Sequence, residues 1–121
     1  ELDVCSSDLQ CAIPADFTVS ESDLCVLLSN ALENALHACV PLAAEGRSCE
    51  IDVNFYERNK HLFLQVVNDC KAPIKFQNGI PVSDMEGHGI GVQSICAIVQ
   101  RYGGVFSFAE KDGKFTLRLS L

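Results

Sequence analysis

Residues 87–95 read Gly87-His88-Gly89-Ile90-Gly91-Val92-Gln93-Ser94-Ile95, with glycine at every second position of the first five. Apolar residues then continue at helical spacing to residue 102, so the run predicts a glycine loop that opens directly into a helix. Glycine lets the backbone come close to a ligand, and the first turn of a helix presents free N–H groups with partial positive charge. The arrangement therefore favours a phosphate-binding loop, although the same run can also form an ordinary tight turn.

A polar stripe lies upstream, inside a segment with the spacing of an amphipathic helix. Asn30, Glu33, Asn34 and His37 recur every three or four residues. They lie apart from the apolar stripe, which comprises Leu24, Leu27, Leu28, Ala31, Leu32, Ala35, Leu36 and Cys39. Asparagine is a mediocre helix former, because its amide competes with the backbone for hydrogen bonds. Amide and carboxylate oxygens suit Mg²⁺ as ligands, so the stripe is either a metal-binding face or a solvated side of the helix.

These two elements, with the strand-like run Val66-Val67-Asn68-Asp69 between them, resemble in order and spacing the N, G1 and G2 boxes of GHKL nucleotide-binding domains. Residues 23–39 are similar, nearly throughout, to the ATP-binding domains of sensor histidine kinases, specifically those of the agr-type quorum-sensing receptor kinases. The resemblance extends over residues 2–121. It implies a two-layer α/β sandwich (the Bergerat fold), with helices covering one face of a mixed, mostly antiparallel sheet, and it implies ATP and Mg²⁺ as cofactors.

The composition is that of one domain over residues 1–121, since 48% of the residues are apolar and suffice for a core. No run approaches the length expected of a membrane-spanning helix, and no signal peptide is recognisable. The only methionine is Met85, so we expect a fragment of a longer protein. The net charge of −7 argues against nucleic acid as a partner. It does not exclude ATP, because Mg²⁺ and local cations can reverse the field at a site.

The seven cysteines are odd in number and form no Cys-x-x-Cys pair. They therefore indicate neither a metal site nor a secreted disulfide framework. Cys25 and Cys39 lie at apolar helix positions, and Cys49 begins an alternating strand. We expect small buried side chains in a reducing cytosol. Cys70 stands apart, because it falls beside the expected adenine pocket.

Alternation of apolar and polar residues predicts the strands. Two short N-terminal strands are predicted around a turn at residues 6–8, a hairpin with its turn at residues 58–60, and a closing hairpin with its turn at residues 111–113. Residues 69–86 show no period, which predicts a long loop of the kind that is usually functional or disordered.

Capping and breaking residues predict the ends of the two helices. Ser20 is the expected N-cap of the first helix, which is predicted to end near Val40 because Pro41 follows. The second helix is predicted to run to about Tyr102, with Gly103-Gly104 as its C-cap.

The resemblance implies roles for the polar stripe. Asn34 matches the family's Mg²⁺-binding asparagine. Asn30 matches a residue that faces the water shell of the metal or the phosphates. ATP-hydrolysing branches carry a glutamate there as a general base, and an amide cannot accept a proton at neutral pH, so Asn30 argues against autonomous hydrolysis. Glu33 is expected either to support Asn34 or to be a solvated charge, and His37 either donates to phosphate or is a surface histidine.

Nucleotide contacts are implied elsewhere as well. Asn68 stands where most of the family has an aspartate that accepts from the adenine amino group, so its carbonyl is expected to bind adenine more weakly. The glycines of this box are missing, and Asp69, Cys70 and Ala72 stand in their place. Lys71 is expected either to reach phosphate from the lid or to be solvated. The glycine loop is expected to supply the remaining contacts, from Gly87, His88, Gly89, Ile90 and Gly91.

None of the histidines is a convincing phosphoacceptor, since His37 and His88 fall in nucleotide motifs and His61 begins a strand. The resemblance implies a phosphoacceptor histidine on an upstream dimerisation domain, a response regulator as the next partner, and a homodimeric kinase anchored in a bacterial membrane. This fragment would be a cytoplasmic domain without membrane contact. A GHKL module that binds little nucleotide and acts as an interaction domain is the alternative. A serine kinase of the anti-sigma-factor type is disfavoured by Asn30.

Overall fold

The computed structural model describes residues 4–11, 19–71, 73–82 and 90–121. Within these ranges, two helices pack on one face of a five-stranded sheet, and two short strands form a separate hairpin. The elements in chain order are β1 (Val4–Cys11), α1 (Glu21–Ala44), β2 (Cys49–Arg58), β3 (His61–Asp69), β4 (Phe76–Gln77), β5 (Ile80–Pro81), α2 (Ile90–Arg101), β6 (Val105–Lys111) and β7 (Lys114–Ser120).

The five-stranded sheet has the order β1-β2-β3-β7-β6. β1 is parallel to β2, and every other neighbouring pair is antiparallel, so the predicted mixed sheet under a helical layer is confirmed. The two predicted N-terminal strands are wrong, because β1 is a single strand. Its register shifts between Ser6 and Leu9, where the turn was expected. A bulge of this kind admits the polar residues without ending the strand.

The core lies between the helices and one face of the sheet. On β3, the alternate residues Leu62, Leu64 and Val66 are each no more than 2% exposed. α1 faces the core with a buried row at helical spacing, which comprises Leu24, Leu27, Ala31, Ala35, Cys39 and Leu42. α2 adds Val92, Ile95 and Val99. The same face of β3 continues to Asn68 at the end of the strand.

The predicted start of α1 is confirmed and its predicted end is wrong. The Ser20 side chain accepts a hydrogen bond from the backbone N–H of Asp23 at 3.1 Å, as an N-cap does. The helix continues through Pro41 to Ala44, because the fully buried Leu42 anchors the last turn in the core. A Schellman motif closes it, with Gly46 at φ 74° and the Arg47 N–H donating to the Leu42 carbonyl.

By length and composition, α1 could cross a membrane, contrary to the expectation that no segment would reach that length. The central helix of a folded domain has the same two properties. Here one side of α1 packs on β2, β3 and α2, which accounts for its buried apolar row without a bilayer. Leu32 and Leu36 of the predicted apolar stripe lie outside that row and are exposed, as are Val26 and Val40.

The two long hairpins and the end of α2 are confirmed. Asn59 and Lys60 join β2 to β3, and Asp112 and Gly113 join β6 to β7. All four have positive φ, the pattern of the type I′ turns that suit twisted strands. Gly104 follows the end of α2, and a Cβ built on it would lie only 2.0 Å from the carbonyl oxygen of Ser120. Only glycine fits this close approach of two backbones.

The region predicted as a loop without structure contains a small hairpin, so that prediction is wrong for residues 76–81. β4 and β5 pair across Asn78 and Gly79, which both have positive φ. An Asn-Gly pair directly before Ile80, with Phe76 two residues ahead of it, is a strong hairpin signal, and it was available in the sequence. The Phe76 ring stacks on Phe115 of β7, with the centroids 6.3 Å apart.

The expectation for the cysteines is wrong for two reasons. Cys39 near the end of α1 and Cys49 at the start of β2 form a disulfide across a Cα–Cα distance of 5.6 Å. Cys25 is exposed rather than buried. Cys96 is a buried thiol as expected, and Cys70, which was set apart, is buried as well; burial raises the pKa of each above its ordinary value. Helical spacing could not reveal the disulfide, because it depends on how the 44–49 turn folds back.

Candidate functional site

The polar stripe of α1 lies against the first turn of α2. A Cβ built on Gly91 would lie 3.3 Å from the Oδ1 atom of Asn30, so the asparagine side chain occupies the space that the missing side chain leaves. At the opposite end of the pair, Asp23 near the start of α1 contacts Arg101 at the end of α2. The two helices therefore run antiparallel, and the stripe lies beside the N-terminus of α2.

Asn30 and Asn34 are both half-buried and lie one turn apart on the same side of α1. Asn34 is about 6 Å further along the helix axis than Asn30. Because the helices are antiparallel, this displacement carries Asn34 beyond the N-terminal end of α2. Two amide side chains and the first-turn N–H groups of α2, which have no partner within the helix, thus lie at one end of the helix pair. Amide oxygens can ligate a hard cation there, and the N–H groups can bind an anion.

Asn68 is the one buried polar side chain among the residues whose burial is described, with 1% exposed. It lies on the helix-facing side of the sheet, opposite Phe115 on β7. Its Nδ2 donates to the backbone carbonyl of Asp69 at 3.0 Å. With the nitrogen engaged in this way, the amide oxygen is the atom that can accept a hydrogen bond from a ligand.

The carboxylate of the neighbouring Asp69 is already bound to other groups of the protein. It binds Lys114 Nζ at 2.5 Å and accepts from the backbone N–H of Glu50 at 2.9 Å. Burial raises the pKa of Asp69, but these two partners together outweigh it, and the pKa lies below its ordinary value. Asp69 is therefore ionised and links β3 to β7 and β2. Asn68 is the residue at the end of β3 that can accept a hydrogen bond from a ligand.

The remaining candidate side chains are those of Lys71, Glu33, His37 and His61, and the structure shows a contact for each. Lys71 forms an ion pair with Glu45 at the C-terminal end of α1, and this contact holds the pKa of Glu45 below its ordinary value. Glu45 lies 11 residues beyond Asn34, or about 16 Å along a helix axis, so the structure does not bring Lys71 to the asparagines. Glu33 Oε1 and His37 Nε2 lie 4.0 Å apart on the exposed side of α1. His61 contacts the carbonyl of Leu121 at 3.1 Å, in agreement with a structural role.

Gly87, His88 and Gly89 lie outside the described residues. Ile90 begins α2, and Gly91 follows it in the first turn. Within the described ranges, the side chains of His, Cys, Asp and Glu form no group of three or more that could hold a metal ion.

The contacts that join the other ends of the two helices have no counterpart among the residues predicted from the sequence. Asp23 accepts hydrogen bonds from Arg101 and Tyr102, which are 78 and 79 residues away in the chain. In the sequence, Asp23 was notable only as a first-turn residue after the N-cap. No local pattern connects it to the end of α2.

The arrangement of asparagine-bearing helix, buried polar strand end and glycine-led helix is matched by one family over most of the chain. A sequence profile of the GHKL domain matches residues 19–121. The chain belongs to the GHKL domain family. No curated protein sequence matches it.

Solved structures share the fold of this GHKL domain. The structure of the mycobacterial sensor histidine kinase MprB aligns with 100% of this chain, and the alignment covers 80% of the MprB chain, with a TM-score of 0.63 and 17% identity. The structure of the catalytic domain of histidine kinase ThkA aligns with 85% of this chain, and the alignment covers 69% of the ThkA chain, with a TM-score of 0.64 and 16% identity.

A third structure is the histidine kinase domain of a blue-light activated histidine kinase from Erythrobacter litoralis. It matches 82% of this chain with a TM-score of 0.57 and 17% identity, and this GHKL domain spans 45% of its length. At these identities the likeness establishes a common fold with histidine kinase catalytic domains.

The donor set of this GHKL domain fits a nucleotide with Mg²⁺. Asn30 and Asn34 present oxygens, the first turn of α2 presents N–H groups, and Asn68 presents a buried acceptor. Gly91 matters to the fit, because a side chain at this position would crowd the Asn30 oxygen. A hard cation that keeps several waters and takes phosphate oxygens as ligands needs few protein ligands of this kind.

Proposed function

We propose that this GHKL domain is the catalytic ATP-binding domain of a bacterial two-component sensor histidine kinase. It binds ATP with Mg²⁺ and donates the γ-phosphate to a histidine on an upstream dimerisation domain, from which a response regulator receives it. The contact between Asn30 and Gly91 carries the proposal, because it joins the amide stripe to the N-terminus of α2. Membership of the GHKL family over residues 19–121 supports it.

Each group in the site has a separate task. Asn34 ligates Mg²⁺, and Asn30 orients the metal's water shell and the phosphates. The backbone from Gly87 through His88, Gly89 and Ile90 to Gly91 binds phosphate oxygens at the N-terminus of α2. A Mg²⁺ ion held by Asn34 would supply charge neutralisation to the phosphates during phosphoryl transfer. The Asn68 oxygen accepts from the adenine amino group.

Three charged side chains have secondary tasks in this proposal. Glu33 orients His37, which lies one turn beyond Asn34 and donates to a phosphate oxygen. Lys71 exchanges its ion pair with Glu45 for a phosphate when nucleotide binds. That exchange needs a movement of Lys71 towards the asparagines.

The proposed reaction is transfer to a protein rather than hydrolysis. Hydrolysis needs a base that takes a proton from water, and the amide of Asn30 cannot act as one at neutral pH. Transfer needs only that the γ-phosphate is held in line with an acceptor and that its charge is neutralised. The acceptor histidine and the homodimer contacts lie on the upstream domain in this proposal.

We assign the domain to the agr-type branch of quorum-sensing receptor kinases. The similarity of residues 23–39 to that branch supports the assignment. In such a receptor, the domain works on the cytoplasmic side of a bacterial membrane without touching it.

The second candidate is an interaction module that binds little nucleotide. Asn68 favours it, because a neutral amide replaces the charged adenine acceptor common in the family. Its ligand-free function would be to regulate a dimer through protein contacts alone.

Calorimetric titration with ATP and Mg²⁺ tests the two candidates. The kinase proposal predicts saturable, Mg²⁺-dependent binding to the chain. Asn34→Asp is expected to weaken it at least about tenfold, because the new negative charge lies beside the triphosphate. Asn54→Asp is the matched control, since it adds the same charge at an exposed position on β2.

Equal nucleotide affinity in N34D and N54D would remove Asn34 from the metal site. An absence of binding by the wild-type chain at millimolar nucleotide would contradict the kinase proposal and support the interaction module. Circular dichroism of each variant establishes that the fold is retained.

A further inference from the structure

We infer that Asp23 is a positioning residue, which acts with Tyr102 and Arg101 to fix how the nucleotide site is assembled at the other end of the helix pair. The inference rests on the proposed function, because it concerns the geometry of that site. We call the three residues the helix clamp.

The helix clamp uses both carboxylate oxygens of Asp23. Arg101 Nη1 donates to Oδ1 at 2.9 Å, and the Tyr102 hydroxyl donates to Oδ2 at 2.5 Å. The same hydroxyl accepts from the backbone N–H of Ser20, the N-cap of α1, at 3.2 Å. Two successive residues at the end of α2 are thus bonded to the first turn of α1.

The hydrogen bonds from Tyr102 and Arg101 stabilise the charged form of Asp23. The hydrogen bond from Tyr102 is the main reason that the pKa of Asp23 lies below its ordinary value. Asp23 is the less exposed partner of its ion pair, with 19% of its side chain exposed against 60% for Arg101. Hydrogen bonds to a charged acceptor are stronger than neutral ones, and partial shielding from water preserves them.

The clamp lies on the same rigid elements as the site. Asp23 and Asn30 are separated by seven residues of α1, or about 10 Å, and Gly91 and Arg101 by ten residues of α2, or about 15 Å. Two antiparallel helices that are tied at one end have a fixed offset at the other. The clamp therefore sets the distance from the asparagine stripe to the N-terminus of α2.

Apolar packing between the helices and the clamp act together on this offset. The buried residues of α1 beside the stripe are the small Ala31 and Ala35 as well as the larger Leu24 and Leu27. Their packing brings the helices together. Hydrogen bonds have preferred distances and angles, and the clamp supplies them.

Loss of the clamp should affect one part of the site and spare another. Asn30, Asn34 and the first turn of α2 would shift relative to each other, which weakens binding of Mg²⁺ and phosphates. Asn68 is held by the ladders of β3 with β2 and β7, so the adenine acceptor stays in place.

The test uses Tyr102→Phe, which deletes only the bridging hydroxyl. Tyr56→Phe is the matched control, because Tyr56 is the other tyrosine of the chain and stacks on Phe63 between β2 and β3. The affinity for ATP with Mg²⁺ is measured by calorimetry well below the melting temperature of each variant. Y102F is expected to weaken binding about tenfold, the equivalent of losing one hydrogen bond to a charged group, and Y56F to leave it unchanged.

Asp23→Asn provides the second variant. An amide loses the charge and one acceptor position, so D23N should weaken binding like Y102F. The double variant should be no weaker than the stronger single one, since all three break the same tie. Additive losses, or unchanged affinity in Y102F despite a lower melting temperature, would reduce the clamp to a purely structural role and overturn the inference.

A ligand-free measurement separates this inference from the proposed function. Nuclear magnetic resonance reports the backbone amide of Gly91 and the side-chain amides of Asn30 and Asn34 without nucleotide. Y102F should shift these signals and Y56F should not. If the wild-type chain bound no ATP, the proposed function would fail, and the signals would still decide the clamp. Signals that stay unmoved in Y102F contradict it.

Discussion

At the scale of single residues, Asn68 combines properties that rarely occur together. It is polar, almost fully buried, and sits at the end of an apolar row on the most central strand of the helix-covered face. A buried polar group is tolerated only when it is hydrogen-bonded, and Asn68 bonds to the backbone of its neighbour. A neutral amide is easier to bury than a carboxylate, which would lie beside the ionised Asp69.

The substitution Asn68→Asp tests whether a neutral amide at this position favours stability at the expense of adenine binding. The new carboxylate would be desolvated and repelled by Asp69, so we expect the free energy of unfolding to fall by about 1–3 kcal/mol without ligand. A charged acceptor would bind the adenine amino group more strongly, so the dissociation constant for ATP should fall several-fold. Urea unfolding and calorimetry measure the two effects. Weaker ATP binding in a folded N68D protein would contradict the adenine role.

At the scale of elements, α1 is tied to its surroundings at both ends. The helix clamp fixes its first turn to α2, and the Cys39–Cys49 disulfide fixes its last turns to β2. The residues proposed to bind Mg²⁺ and phosphate lie between these ties. A helix that is held in this way keeps Asn30 and Asn34 in place without help from bound ligand.

The disulfide gives a prediction for thiol counts and stability. Treatment of the denatured wild-type chain with reductant should expose two additional thiols, since Cys39 and Cys49 are paired. Closing a loop of this size stabilises a fold by roughly 2–3 kcal/mol, so reductant should lower the melting temperature. The variant Cys39→Ala/Cys49→Ala should show neither change with reductant, whereas Cys25→Ala should behave like wild type. An equal thiol count with and without reductant would contradict the pairing.

The elements also show where sequence reasoning works. Capping at Ser20 and turns at 59–60 and 112–113 were predictable, because local backbone conformation decides them. The end of α1 was not, since burial of Leu42 outweighs the unfavourable Pro41. For the site, the resemblance to the family favoured an amide-bearing helix that faces a glycine-led helix, whereas the contact of Asn30 with Gly91 is visible only in the structure. The clamp and the disulfide could not be predicted, because each joins positions whose proximity is created by folding.

At the scale of the whole molecule, ion pairs join elements that are distant in the sequence. Asp23 links the two helices, and Asp69 links β3 to Lys114 of β7 and to the backbone of β2. Each carboxylate has a pKa below its ordinary value of 3.8 in the folded chain. The same bond to Asp69 raises the pKa of Lys114 above its ordinary value of 10.5.

These pKa shifts make the stability of the fold change with pH in opposite directions at acid and at alkaline pH. A lowered carboxyl pKa stabilises the fold above 3.8, and the contribution is lost as the pH falls through the folded value. A raised lysine pKa stabilises it below 10.5, and that contribution is lost as the pH rises through the folded value. Urea unfolding across pH should therefore give a plateau between these limits. Lys114→Met should lower the plateau and flatten the alkaline decline, whereas Lys60→Met, at an exposed position in the turn at the other end of β3, should change neither. An unchanged alkaline decline in K114M would mean that the bond to Asp69 does not couple the strands.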